Sequence, residues 1–239
     1  MFKLDILAFA AHPDDVELSC SGTLIRHIEA GKRVGIVDLT EGELGSRGSA
    51  ALRKEEAAVA SQIMGIHYRA NLGMRDGFFT IDEAHQRLII EQIRHTRPDI
   101  ILANAVNDRH IDHGRAAKLV AEAAFLSGLR RIETHFEGKL QEAWRPRVLY
   151  HYIQDRYLKP DFVVDITEQF ERKLEAVKAF GSQFYDPNSN EPMTPISRPD
   201  FLDFIEARAR EMGRIVPVTY GEGFTVERAI GVNDLTQLL

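Results

Sequence analysis

Two short clusters hold most of the residue types that can ligate a metal or move a proton. The first, Ala11-His12-Pro13-Asp14-Asp15, closes an apolar run from Leu4 to Ala11. The second, Asn107-Asp108-Arg109-His110-Ile111-Asp112-His113, follows another apolar run, Ile100-Ile101-Leu102-Ala103. His12 and Asp15 stand three positions apart across a turn, so an imidazole nitrogen and a carboxylate oxygen can reach one cation, with His113 as a third ligand. Three protein ligands leave a place for water. Zinc held this way lowers the pKa of its water to roughly 7 and polarises a carbonyl, which are the two requirements for hydrolysing an unactivated amide. Asp14 is then free to act as base. His110, one helical turn before His113, could as imidazolium stabilise an oxyanion or protonate a leaving amine. Asp112 reads as a residue that orients a histidine from behind. Mixed His/Asp ligation would also accept Fe(II), Co(II) or Mn(II).

Plainer readings exist for the same residues. His-Pro-Asp-Asp could be a turn with an aspartate N-cap for a helix beginning near Val16, and Asp108 to His113 a solvated helix start. Two such clusters, each after a buried-looking strand, are hard to ascribe to capping twice. A metal-dependent phosphoesterase would use the same ligand types with a second metal about 4 Å away, for which the clusters offer few extra carboxylates. A non-catalytic sugar-binding module would have no need of Asp14 beside the ligands or of His110 opposite. The other histidines, His27, His67, His85, His95, His135 and His151, lack this context and read as surface or packed residues.

These clusters need elements to bring them together. Leu4 to Ala11, Arg33 to Leu39, Ile100 to Ala105, Val148 to Ile153 and Phe162 to Asp165 read as strands. Helical periodicity lies between them: Leu18 to Ala30 before Gly31, Ala51 to Met64 before Gly65, and Ile81 to Thr96 before Pro98. Thr167 to Phe180 and Arg198 to Met212 add two helices. The alternation predicts a Rossmann-like α/β fold, a mainly parallel sheet flanked by helices, as one domain over residues 1–239. Both clusters then fall at strand ends, where open α/β sheets bind ligands. A dinucleotide fingerprint needs three spaced glycines in the first turn, and Gly22 alone, inside the helical segment, argues against NAD.

With 239 residues, 44% of them hydrophobic, the chain can bury a sizeable core. A net charge of -6 gives no basic footprint for nucleic acid or an anionic membrane, so an anionic ligand must meet arginines locally. One cysteine, Cys20, permits no internal disulfide and fits a reducing cytoplasm. The Leu4 to Ala11 run is too short for a membrane span and lacks the flanks of a signal peptide. The Gly- and Ser-containing segment Glu43 to Ser49 reads equally as a lid over the pocket or an ordinary turn, and Tyr185 to Pro199 as a loop within the domain.

His12-Pro-Asp14-Asp15 with the later His110-x-x-His113, Gly42 to Arg47 and Arg53-x-x-Glu56-Ala57 resembles the zinc-dependent LmbE/PIG-L N-acetylglucosamine deacetylases. Ser182-Gln-Phe-Tyr-Asp-Pro-Asn-Ser-Asn, Ile205-Glu-Ala-Arg-Ala-Arg and Tyr220-Gly-Glu-Gly-Phe are similar to the branch that deacetylates N-acetylglucosaminyl-malate in bacillithiol biosynthesis, although Gly223 stands where that pattern has proline. The resemblance implies zinc on His12, Asp15 and His113, Asp14 as general base and His110 as charged partner of the tetrahedral intermediate. It also implies sugar-hydroxyl contacts from Arg53 and Asp76, with Arg109 near the reaction centre and arginine suited to a malate carboxylate. A homo-oligomer, with a hexamer as the expected form, follows from the same likeness, with Tyr185 to Pro199 as candidate contact or pocket rim.

Overall fold

The computed structural model describes residues 2–184 and 189–238. The chain runs β1 (Ile6–Ala10), α1 (Asp15–Glu29), β2 (Val34–Thr40), α2 (Ala50–Met64), β3 (Tyr68–Met74), α3 (Glu83–Thr96), β4 (Ile100–Ala103) and α4 (Ile111–Ser127). A short hairpin follows, β5 (His135–Phe136) and β6 (Lys139–Leu140), then β7 (Val148–Tyr152), β8 (Phe162–Asp165), α5 (Phe170–Lys178), α6 (Phe201–Ile215) and β9 (Gly221–Val226). Seven strands form one sheet in the order β3-β2-β1-β4-β7-β9-β8, parallel from β3 to β7, with β9 antiparallel to both of its neighbours.

β1 shows why its sequence reads as an unbroken apolar run. Leu7 and Phe9 face one core with Val37, Ile93, Leu119 and Val120, whereas Ile6, Ala8 and Ala10 face the other with Val16, Leu24 and Ile25. A parallel strand covered on both faces has no polar side to alternate with. Each fully buried Leu, Ile or Phe contributes about 1.5–3 kcal/mol, so this strand is the anchor on which the site rests. β1 leads through α1 to β2 on one side, and β4 lies on its other side. That reversal of strand order makes a crevice at their carboxyl ends, and both His/Asp clusters sit in it.

Helix ends follow the chemistry of their caps. Ser49 accepts from Leu52 N–H and Asp82 from His85 N–H, while α2 stops at Gly65 in the left-handed region with φ 80°. Asp14 occupies the N-cap position of α1, yet its side chain makes no capping hydrogen bond. The plain capping role considered for His-Pro-Asp-Asp is therefore not what its carboxylate does. α1 starts at Asp15, earlier than the expected Leu18, and breaks at Cys20, where φ is -142°. Glu222 repairs the break by accepting from Gly22 N–H at 3.0 Å and Thr23 N–H at 2.7 Å.

The sequence reading omitted β3, β9, the hairpin and, beyond its start near His113, α4. β3 is a sheet-edge strand whose residues Arg69, Asn71 and Gly73 break the apolar pattern. β9 holds Gly221 and Gly223, which look like turn residues. Gly223 is there because nothing larger fits: an added Cβ would lie 2.8 Å from Met212 Sδ and 3.2 Å from Pro160 Cβ. Of the segment Tyr185 to Pro199, residues 185–188 lie outside the described residues.

Candidate metal centre and active site

His12 comes from the turn after β1, Asp15 from the first residue of α1, and His113 from the first turn of α4. All three are buried and close together. Asp15 Oδ1 lies 3.0 Å from His113 Nε2, and Asp15 Oδ2 lies 3.7 Å from His12 Nδ1. The nitrogens facing away from Asp15 are tied to other carboxylates. His12 Nε2 donates to Asp76 Oδ1 at 3.0 Å and stands 3.4 Å from Asp112 Oδ2; His113 Nδ1 donates to Asp108 Oδ2 at 2.5 Å. A carboxylate can only accept, so with a cation on the inner nitrogens each imidazole would keep its one proton on the outer nitrogen. That is the tautomer a metal ligand needs.

The charge balance also fits a cation. Burial alone would lower the His12 imidazole, but hydrogen bonds to Asp112 and Asp76 and the charge of Asp15 raise it from 6.5 to about 10. His113 goes up to about 9, because Asp15 and Asp108 outweigh burial there too. Asp15 is held well below the usual carboxylate range: burial opposes this, and His113 and His12 overcome it. Four buried carboxylates, Asp15, Asp76, Asp108 and Asp112, thus ask for positive charge at two imidazoles. A divalent cation answers the same demand with both imidazoles deprotonated. His12, His110 and His113 bring ligand atoms within 4.8 Å of one another, and so do His12, Asp76 and Asp112. Carboxylates are therefore more plentiful here than the two sequence clusters suggested.

Asp14 adopts φ 126°, a left-handed conformation costly for a non-glycine residue. The turn thereby presents two successive carboxylates to the same crevice. Burial pushes the Asp14 carboxyl up from 3.8 to about 7, against the pull of Arg53, whose Nη1 is 3.9 Å from Asp14 Oδ2. His110 caps α4, its Nδ1 accepting from Asp112 N–H at 3.3 Å, and its ring centroid is 4.6 Å from that of His12. Burial, together with His12 and His113, lowers its pKa. The Asp112 N–H occupies the Nδ1 lone pair, so the proton of the neutral ring is carried on Nε2.

The residues expected to touch substrate are placed unequally. Asp76 is engaged with His12 and also accepts from Leu44 N–H at 3.0 Å. Asp112 lies against His12, and Asp108, given no role from the sequence, is the residue that holds His113. Arg53 is buried beside Asp14, with its Nη2 donating to the side-chain Oε1 of Gln183. Its neighbour one turn on, Glu56, accepts from Ser182 N–H at 2.7 Å and Ser182 Oγ at 2.8 Å. Arg53-x-x-Glu56 and Ser182-Gln183 are thus two sides of one joint. Arg109 is exposed, donates from Nε to Asp155 Oδ2 at 3.0 Å, and lines a cavity of about 100 Å³ with Asp15 and His113.

Glu43 to Ser49 is tethered. Buried Arg47 donates to Ser182 O at 3.0 Å, Phe184 O at 3.2 Å and Pro192 O at 3.2 Å, and Gly48 N–H reaches Glu191. This strap lies beside the crevice, since Glu43 accepts from Asp76 N–H at 2.8 Å.

Comparison with known proteins accords with this geometry. Residues 7–124, which span both clusters, match the PIG-L family model, described as GlcNAc-PI de-N-acetylase. The crystal structure of the conserved protein TT1542 from Thermus thermophilus superposes with a TM-score of 0.85 at 34% identity, over 96% of this chain and 98% of that one. Diacetylchitobiose deacetylase of Thermococcus kodakarensis is 28% identical over 190 residues, 75% of this chain and 70% of that protein. The probable N-acetyl-alpha-D-glucosaminyl L-malate deacetylase 2 of Bacillus anthracis is 26% identical over 196 residues, 75% of this chain and 81% of that one. Joined to a near full-length relative at 34% identity, the match of the family model across His12 to His113 identifies the chain as a member of the PIG-L/LmbE deacetylase family.

Proposed function

We propose that this chain is a zinc-dependent N-deacetylase that removes acetyl from N-acetylglucosaminyl-malate, releasing acetate and glucosaminyl-malate for bacillithiol biosynthesis. One observation carries the reading: a buried, strained Asp14, with its pKa raised to about 7, adjoins a His/Asp/His set whose inner nitrogens converge on one carboxylate. A metal held by His12, Asp15 and His113 would supply Lewis acidity toward the amide carbonyl and a more acidic water. Asp14 takes the proton of the attacking water, and a pKa near neutrality suits it to pass that proton on to the amine. His110 donates a hydrogen bond from Nε2 to the developing oxyanion. Arg53 holds Asp14 ionisable without neutralising it. Arg109, at the mouth of the cavity, is the side chain suited to a carboxylate of the malate moiety.

The malate branch is supported by the Bacillus anthracis relative and by the sequence likeness around Ser182, Ile205 and Tyr220. The same reading makes the protein a cytoplasmic homo-oligomer of hexameric order that needs neither nucleic acid nor membrane. Among the described residues no helix is long and apolar enough to cross a membrane.

The test is free-amine release from N-acetylglucosaminyl-malate by metal-stripped protein with and without one equivalent of zinc, beside N-acetylglucosamine and diacetylchitobiose. Zinc-restored turnover favouring the malate conjugate is expected. Preference for diacetylchitobiose would move the chain to another branch, and no turnover on any of them would remove the deacetylase reading. A phosphoesterase is the second reading, favoured by the additional carboxylates Asp76 and Asp112 beside His12. Two tightly bound metals per chain with phosphate-ester turnover would select it; one metal per chain is expected.

A further inference from the structure

The orientation of Asp15 is set by the His12 backbone N–H, which donates to Oδ2 at 3.0 Å, and by two side-chain amides. Asn104 Nδ2 donates to Oδ2 at 2.9 Å, and Gln154 Nε2 donates to Oδ1 at 3.1 Å. Gln154 sits just beyond β7, 139 positions from Asp15. Its amide has one orientation available. Gln154 Oε1 accepts from Asn104 Nδ2 and from Ala105 N–H, both at 3.0 Å, so turning the amide over would strand two donors. The NH2 end therefore faces Asp15 and lies 3.5 Å from His113 Nε2. Asn104 is saturated as well, its Oδ1 accepting from Ala11 N–H at 3.0 Å.

The backbone carrying Gln154 is fixed from the far side. Arg208 on α6 donates from Nη1 to Gln154 O at 2.6 Å and from Nη2 to Asp155 O at 2.8 Å. A guanidinium fork holding two successive carbonyls leaves that loop little freedom. The restraint runs from α6 through Arg208 and Gln154 to the carboxylate of Asp15.

We infer that Gln154 is a positioning residue of the metal centre: its Nε2–H fixes the carboxylate of Asp15 in the orientation from which it meets a cation together with His113, and Arg208 holds Gln154 in place. The inference rests on the metal-dependent reading of the site. Hydrogen-bond partners behind metal ligands typically account for about 10–100-fold in metal affinity.

The decisive variant is Gln154→Met, similar in length and unable to donate. Its zinc dissociation constant is measured by chelator competition at fixed pH, beside the circular dichroism and Tm of the metal-free protein. Affinity is expected to weaken about 10–100-fold, equivalent to about 1.4–2.7 kcal/mol, while the metal-free fold persists. A role confined to tethering Ala105 and Asn104 would lower the metal-free Tm and leave zinc affinity alone, and that result overturns the inference. Wild-type protein that binds no zinc would instead remove the metal reading itself. Should the variant not fold, the side-chain NH2 of Gln154 is followed in 1H–15N spectra of the wild type during zinc titration. Two separated proton resonances that shift with zinc support the assignment; resonances at free-amide positions, unmoved by zinc, overturn it.

Discussion

Two groups of buried charge differ in what balances them. Beneath the crevice, Arg69 meets Asp38 through Nε at 2.8 Å and Nη2 at 3.0 Å, and Glu17 through Nη1 at 2.6 Å. Lys173 likewise meets Glu222 at 2.6 Å. Each of these carboxylates is paired with a full cation. At the ends of β1 and β4, Asp15, Asp76, Asp108 and Asp112 instead converge on two imidazoles, whose charge depends on pH, with Arg115 answering Asp112 alone. Buried charge is costly unless paired, so the permanent pairs hold the fold and the conditional ones leave an opening for a cation.

The largest effect should come from Asp14, which neither set neutralises by contact. Asp14→Asn is expected to lower turnover about 10²–10⁴-fold while zinc affinity is retained, because the base is lost and the ligands remain. Turnover within tenfold of wild type would place the proton transfer elsewhere. Next is a permanent pair. Lys173→Met leaves Glu222 buried without its cation and should cost about 3–5 kcal/mol in urea unfolding, whereas Lys173→Met with Glu222→Gln should recover much of it. A mild single variant would erase the distinction between the two groups. Smaller again is Asp108→Asn, expected to weaken zinc about 10–100-fold through the orientation of His113, with little change in metal-free stability.

What could be read from the chain follows the same division. β1 and β4 are short buried runs, and each His/Asp cluster is contiguous in sequence, so the strand ends and the side chains that meet beyond them could be named without coordinates. Asp108 was in view, but which aspartate backs which histidine depends on the rotation of α4 about its axis, which spacing does not fix. Asp76 meets His12 from 64 positions away and Gln154 meets Asp15 from 139, and neither stands in a local pattern. β9 was hidden because its glycines, forced by contact with Met212 and Val163, look like turn residues.

The pH dependence comes last, and its sign differs between turnover and metal-free stability. As base, Asp14 must be ionised, so with a pKa near 7 turnover should fall about tenfold per unit as pH drops below 7. Stability of the metal-free chain should run the other way. The folded pKa of Asp14 lies above 3.8, so its contribution is lost as pH rises toward 7. His12 and His113 are raised from 6.5 to about 10 and about 9, so their contribution is complete below 6.5 and lost as pH rises through those values. Tm of metal-free protein should therefore decline from pH 6 to pH 9, by roughly 2–4 °C for each kcal/mol lost, and zinc should flatten the decline by taking the place of the two protons. A metal-free Tm independent of pH across this interval would mean that the imidazoles are not carrying the charge of the carboxylates around them, and the contrast between conditional and permanent pairing would fail.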